Sequence, residues 1–395
     1  MVEARFRSSI RAWVPAWAAL LLSLLAGCAG LPPQVPPTPE ELAWVSEGAG
    51  LLPAVNGSDV EEPSTLLYVS EDMRRFARDA VRQISGVAAK TIALADAMDS
   101  AQGLHLQYDA EATLTAEQAF RQKRANCLSY TMLFVALARE VGIPVKFYNV
   151  DIPPIWDMGD DDTALLYKHI NARVEVDSTS YQIVDISGEQ YDPHLYYENP
   201  ISDSEAAAQF YNNRAVQLRL QHRLVDALRY QLRAVQMAPV SAYLWTNLSD
   251  LYLIEGQPRA ARTAVAHALE LDSSDPLAYQ AASLAYAQLG QSGLAREFHA
   301  RARHFIEQNP YYHYHLALVA MRRDDNAAAY EEIREAVQTR VRDPRFFFVL
   351  AVLLDRMGDP KHAADSMAVV MQLTDDVAQQ ERYRNKFARL KEQQG

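Results

Sequence analysis

Arg124-Ala125-Asn126-Cys127-Leu128-Ser129-Tyr130 is the stretch on which the reading of this 395-residue chain turns. From Cys127 onward, Leu128, Met132, Val135, Ala136 and Arg139 fall at helical spacing with one strongly apolar side. Gly142 followed by Pro144 marks the end of that helix. Cys127 therefore lies where a loop becomes a helix. Unpaired backbone N–H groups and the positive end of a helix dipole at such a position favour a thiolate. Taken alone, Cys127 has two readings, a small buried hydrophobe or a nucleophile.

Upstream, Thr115-Ala116-Glu117-Gln118 has the capping-box pattern and opens a short helix through Phe120 that delivers the chain to Cys127. Helical patterning starts earlier, at Ser70, with Phe76, Ala80, Ile84 and Val87 in phase, and a second helical piece spans 89–98. A short extended piece follows at 104–108. Residues 28–65 are Pro-rich and read as an extended tether, with some order near Leu42-Ala43-Trp44-Val45. Residues 1–27 read as an export signal: Arg5, Arg7 and Arg11 precede an apolar run too short to span a bilayer comfortably. The run ends in Leu25-Ala26-Gly27-Cys28, which resembles a bacterial lipobox. That resemblance implies lipidation at Cys28, a membrane anchor and, with Ala29 following, an outer-membrane location facing the periplasm. With Cys28 used in this way, Cys127 has no partner for an intramolecular disulfide.

Downstream, 145–150 reads as a strand and 151–162 as a loop with two prolines, Trp156 and three consecutive Asp residues. Adjacent carboxylates cannot all face one ion, and the spacing of a calcium loop is missing, so no metal site is expected. Residues 168–176 alternate, with His169, Asn171, Arg173 and Glu175 on one face. A turn at 177–180 and a return strand over 181–186 complete a hairpin. A three-residue loop at Ser178–Ser180 would put Asp185 on the face of His169; an even-length loop would put it on the other.

The C-terminal half repeats every 34 residues. Ala227, Ala261, Ala295, Ala329 and Ala363 mark one phase, and Ala215, Ser249, Ser283, Ala317 and Ala351 mark another. Seven residues after the first set come Ala234, Ala268, Ala302, Ala336 and Val370. Small residues at fixed phases are what close-packed helical hairpins require. Tyr211, Trp245, Tyr279, His313 and Phe347 recur as well. The pattern resembles a tetratricopeptide array of about five repeats, with a polar helical cap, over 204–393. His313 and His315 lie two apart on a predicted helix, share no face and make a poor zinc pair.

Cys127, His169 and Asp185 follow one another in helix start, strand and adjacent strand. A histidine can hold the thiol's proton, and a carboxylate can fix the imidazole. With Asn126-Cys127-Leu128-Ser129, Leu137-Ala138-Arg139-Glu140-Val141-Gly142-Ile143-Pro144, His169 and Val184-Asp185, residues from about 104 to 190, within a domain expected over 66–200, resemble the transglutaminase-like core of papain-like thiol enzymes. The resemblance implies an α+β fold, a Cys127–His169–Asp185 triad and acyl transfer at amide carbons, with no metal or organic cofactor. Ala125 departs from the glycine many relatives carry before Asn-Cys. Gln118 and Gln122 lie where some thiol proteases place a helper glutamine, and are expected to be structural.

A net charge of −12 without a long basic run argues against nucleic acid. The chain thus reads as an α+β transglutaminase-like (papain-like) domain followed by an all-α tetratricopeptide-repeat solenoid that binds a protein or peptide partner. Two functional readings follow: a thiol peptidase, deamidase or acyltransferase, or a non-catalytic envelope adaptor whose repeats do the binding.

Overall fold

In the computed structural model, residues 36–51, 60–150, 169–178, 180–186, 198–339, 341–374 and 377–392 are described. The export signal, Cys28 and the loop at 151–162 lie outside them. Among the described residues, no helix is long and apolar enough to cross a membrane.

The segment before the first domain carries more structure than a tether. Helix α1 (Pro39–Ser46) opens on a capping box: Thr38 and Glu41 exchange backbone-to-side-chain hydrogen bonds of 2.9 and 3.2 Å, and proline occupies the first turn. Val45 is fully buried, and its carbonyl accepts a hydrogen bond from the Tyr252 hydroxyl in the repeat array. Glu61 and Glu62, just before α2 (Pro63–Leu66), also dock on the array. The Tyr211 hydroxyl donates to the Glu61 carbonyl at 2.7 Å, Tyr230 to the Glu61 carboxylate at 2.6 Å, and Arg233 to Glu62 at 3.2 Å.

The first domain is built on one central helix. Helices α3 (Glu71–Ala80), α4 (Val87–Asp99) and α5 (Ala116–Gln122) lead to α6 (Cys127–Glu140). Ile84 and Val87 do not continue α3. The chain turns at 81–86, where Gly86 takes a positive φ of 86° that an L side chain rarely adopts. Every residue of α6 from Leu128 to Ala138 is buried, so this helix is covered all round. Arg74 and Arg78 of α3 reach Glu140 at its far end, at 3.4 and 2.7 Å. Gly142, at φ 72°, ends α6 with the Ile143 amide bonded back to the Ala138 carbonyl.

Strands β1 (Gln107–Tyr108) and β2 (Arg124–Ala125) pair in parallel and fix the chain on either side of α5. Strands β3 (Val145–Val150), β4 (His169–Glu175), β5 (Tyr181–Val184) and β6 (Glu198–Ile201) form an antiparallel sheet in the order β5-β4-β3-β6. Helix α6 lies against this sheet, with Thr131 Oγ1 donating to the Ile170 carbonyl.

Five helical hairpins follow: α7 (Asp203–Leu220) with α8 (Leu224–Met237), α9 (Ala242–Ile254) with α10 (Pro258–Leu271), and α11 (Pro276–Gln288) with α12 (Ser292–Glu307). Then come α13 (Pro310–Arg322) with α14 (Asn326–Gln338), α15 (Pro344–Arg356) with α16 (Pro360–Leu373), and the last helix α17 (Val377–Glu392). The period has two physical sources. All fifteen small-phase residues are buried except Ser283, which is half-buried and donates to the Ala295 carbonyl at 2.8 Å. Pro276, Pro310 and Pro344 each start a helix whose N-cap, Asp275, Asn309 or Asp343, accepts a hydrogen bond from an amide of the first turn. These prolines therefore open repeats rather than close them.

The recurring aromatic position has a polar task too. Trp245, Tyr279 and His313 each bond the carbonyl six residues upstream, Pro239, Ser273 and Glu307, at 2.7, 3.0 and 2.8 Å. His313 stands where its repeat needs a ring with a polar edge, and its other nitrogen meets Glu332 at 2.7 Å.

Candidate functional site: the Cys127 helix start

Three layers of local structure deliver the thiol. Thr115 and Gln118 form the expected capping box at the start of α5, with bonds of 3.0 and 3.3 Å. Lys123 ends α5 in a left-handed conformation, and β2 then pairs with β1. Ala125 is fully buried in that pairing and has no positive φ, so the position does not require glycine. Asn126 is the N-cap of α6. Its Oδ1 accepts from the Ser129 amide at 2.9 Å.

The same cap is tied to the preceding loop. Asn126 Nδ2 donates to Thr113 Oγ1 at 2.9 Å, Ser129 Oγ donates to the Ala112 carbonyl at 2.9 Å, and the Leu114 amide donates to Ser129 Oγ at 2.7 Å. Thr113, Asn126 and Ser129 are all buried. The geometry of a helix start leaves the amides of Cys127 and Leu128 outside the internal helix ladder, as candidate donors to an oxyanion.

The hairpin supplies the other two groups. The pairing Ala172↔Val184 continues to put Asp185 opposite Asn171, on the face of His169. Val176 bonds back to the Ser180 carbonyl, so the odd-length connection is 177–179, one residue earlier than the expected 178–180. The parity is the one that places His169 and Asp185 together. Asp185 Oδ2 lies 2.5 Å from His169 Nε2, with side-chain exposures of 8% and 13%. Cys127 is near enough to His169 to help raise the pKa of the ring. With Nε2 held by the carboxylate, Nδ1 is the ring nitrogen left for the thiol.

Burial by itself would push the His169 pKa down. The hydrogen bond to Asp185 and the nearby Cys127 overcome that effect and hold the imidazolium up to about 10. Asp185 depends on this partner: among the described residues its Oδ1 is buried without a hydrogen bond, as is Oδ1 of Asn171 opposite. A turn along α6 from Cys127, the fully buried Tyr130 donates to Asp99 Oδ2 at 3.1 Å. Burial pushes both groups' pKa values up, and the nearby Asp185 charge adds to the rise at Tyr130.

The two upstream glutamines are structural, as expected. Gln118 closes the capping box, and Gln122 Oε1 accepts from Arg124. Thr113, Ser129 and the Tyr130–Asp99 pair were not singled out in the sequence. The spacing Asn126-x-x-Ser129 was the available signal for part of this network, because an N-cap meets the third residue of its helix. Among the described residues, no group of three His, Cys, Asp or Glu side chains is arranged to hold a metal ion.

Residues 74–198 match the family model described as the transglutaminase-like superfamily, and residues 242–275 match that of a tetratricopeptide repeat. The chain therefore carries a transglutaminase-like domain, which contains Cys127, His169 and Asp185, followed by a tetratricopeptide-repeat solenoid. No curated protein matches the chain. Among solved structures it is similar to PilF of Pseudomonas aeruginosa, with 16% identity over 48% of this chain and 87% of that one, at a TM-score of 0.26. It is similar to a thermophilic tetratricopeptide-repeat protein of Thermus thermophilus, with 19% identity over 47% and 98% of the two chains, at 0.25. YrrB, a tetratricopeptide-repeat protein with an unusual peptide-binding site, is 15% identical over 45% and 92%, at 0.24.

Proposed function

We propose that this protein is a lipid-anchored envelope enzyme that performs acyl transfer at amide carbons through Cys127. The observation that carries the reading is the His169 ring, held by Asp185 at 2.5 Å on the sheet that packs against the helix starting at Cys127. The raised His169 pKa fits an imidazole that holds a proton beside the sulfur. Sulfur forms a bond to the amide carbonyl carbon, and the developing oxyanion meets the Cys127 and Leu128 amides. His169 then gives its proton to the leaving nitrogen as the C–N bond breaks, which leaves a thioester. Water or an amine attacks the thioester, gives a proton back to His169, and releases acid or new amide. Asp185 orients the ring throughout.

The repeat array supplies a surface for a protein or peptide partner. The export signal and the lipobox ending at Cys28 support an anchor in the outer membrane, facing the periplasm.

The reading is tested by incubating the protein with glutamine-containing peptides and a fluorescent primary amine. Ammonia release or amine incorporation in the wild type, absent in Cys127→Ala, is the expected result. A Cys127 inert to substrates and to thiol probes would leave the repeats as the working part and the protein as an adaptor.

A further inference from the structure

The thiol site is not held by its own domain alone. Gln217, on the first repeat helix α7, donates from Nε2 to the Glu111 carbonyl at 2.7 Å and to Thr113 Oγ1 at 2.9 Å. Its amide orientation is fixed from the other side, because Oε1 accepts from Arg214 at 3.1 Å. Thr113 Oγ1 is the same atom that receives Asn126 Nδ2 at 2.9 Å, and Asn126 caps the helix whose first residue is Cys127. One buried hydroxyl, 2% exposed, thus receives a donor from the array and a donor from the helix cap.

The same repeat helix grips the domain at two more points. Asp203 takes both terminal nitrogens of Arg139 on α6 at 2.6 and 2.8 Å, and Gln209 reaches Asn149 on β3 at 3.3 Å. The line also continues away from the site. The Arg214 guanidinium lies 5.6 Å from the centre of the Tyr230 ring, and the Tyr230 hydroxyl holds Glu61.

We propose that Gln217 is a positioning residue for the Cys127 site, and that the first tetratricopeptide repeat acts on the thiol through Thr113 and Asn126. The claim rests on the thiol reading above and extends it. Gln217 touches no reacting atom. It fixes the loop at 111–114, which fixes the Asn126 side chain, which sets the amides at the start of α6. Loosening that cap weakens the helix-end field at Cys127 and widens the range of positions the sulfur takes relative to His169.

The test is the rate of Cys127 alkylation by iodoacetamide against pH, in the full-length protein. Gln217→Ala is expected to slow alkylation near neutral pH by about three- to tenfold, the scale of one hydrogen bond, and to move the profile to higher pH. Thr113→Val removes the shared acceptor and is expected to do the same. Thr113→Ser keeps the hydroxyl and is expected to restore the wild-type profile, which a loss of bulk packing would not do. A reactive wild-type thiol with unchanged profiles in Gln217→Ala and Thr113→Val overturns the proposal and leaves the thiol reading standing. An unreactive wild-type thiol overturns both. Should Gln217→Ala fail to fold, the Thr113→Val and Thr113→Ser pair decides the question alone.

Discussion

The transglutaminase-like domain and the repeat array use buried residues in opposite ways. In the array, the close contacts are mainly alanine, as at Ala227, Ala261, Ala329 and Ala363, and the same device recurs at each hairpin. In the first domain, a single helix is buried on all sides, and its start is held by Asn126, Ser129 and Thr113. Small apolar contacts are local and repeatable, so damage at one hairpin is expected to stay near it. A buried polar network is shared, so removing one member leaves another unsatisfied. The comparison predicts that changes in the first domain move chemistry and stability together, and that changes in the array beyond its first helix, which carries Gln217, move stability alone.

The largest expected effect is at the triad. Cys127→Ala removes alkylation and acyl transfer completely. His169→Ala slows acyl transfer about a hundredfold or more, the usual scale of a lost general acid–base group, measured as initial rates of amine incorporation. Asp185→Ala leaves a buried histidine without its carboxylate and is expected to cost about 3 kcal/mol of stability near neutral pH. That cost depends on pH. His169 is raised from an ordinary 6.5 to about 10, so its contribution is complete below 6.5 and is lost as pH rises through about 10. Denaturant midpoints of wild type and Asp185→Ala should therefore converge across that window; a constant gap would contradict the pairing.

In the array, Ala329→Leu overpacks a fully buried contact and is expected to cost about 1–3 kcal/mol, read as a lower thermal midpoint. The alkylation rate of Cys127 should not change. A change there would break the contrast between the two regions. Smaller still, Trp245→Phe removes the bond to the Pro239 carbonyl, and Tyr252→Phe removes the bond to Val45. Each is expected to cost about 1 kcal/mol. Tyr252→Phe should in addition speed proteolysis near α1, because it frees the segment that this hydroxyl holds.

How much could be read from the sequence followed the same division. The repeats were legible because a packing requirement recurs every 34 residues. The capping box at Thr115 and the Cys127 helix start were legible because their partners are three residues away. The hairpin was legible as two strands and a turn, but its parity was open and entered only as a condition of the triad; the odd-length connection puts Val176 rather than Asp177 opposite Ser180. The segment at 39–46 was legible only as some order near Leu42–Val45, because its prolines masked the helix, although Thr38-Pro39-Glu40-Glu41 carries both a capping box and a proline in the first turn. Gln217 had no local signal at all. Its partner Thr113 is 104 residues away, and nothing in the spacing of a repeat says which surface residue reaches another domain.

The measurement that bears most directly on the central claim is the pH dependence of Cys127 alkylation in wild type and His169→Ala. If His169 and Cys127 share a proton at the helix start, the wild-type rate stays high well below about 8.5, the ordinary thiol value. The His169→Ala rate then falls away over the range where the wild type holds. Superimposable profiles, both rising through the ordinary thiol value, would contradict the account and reduce Cys127 to a thiol placed beside a histidine it does not use.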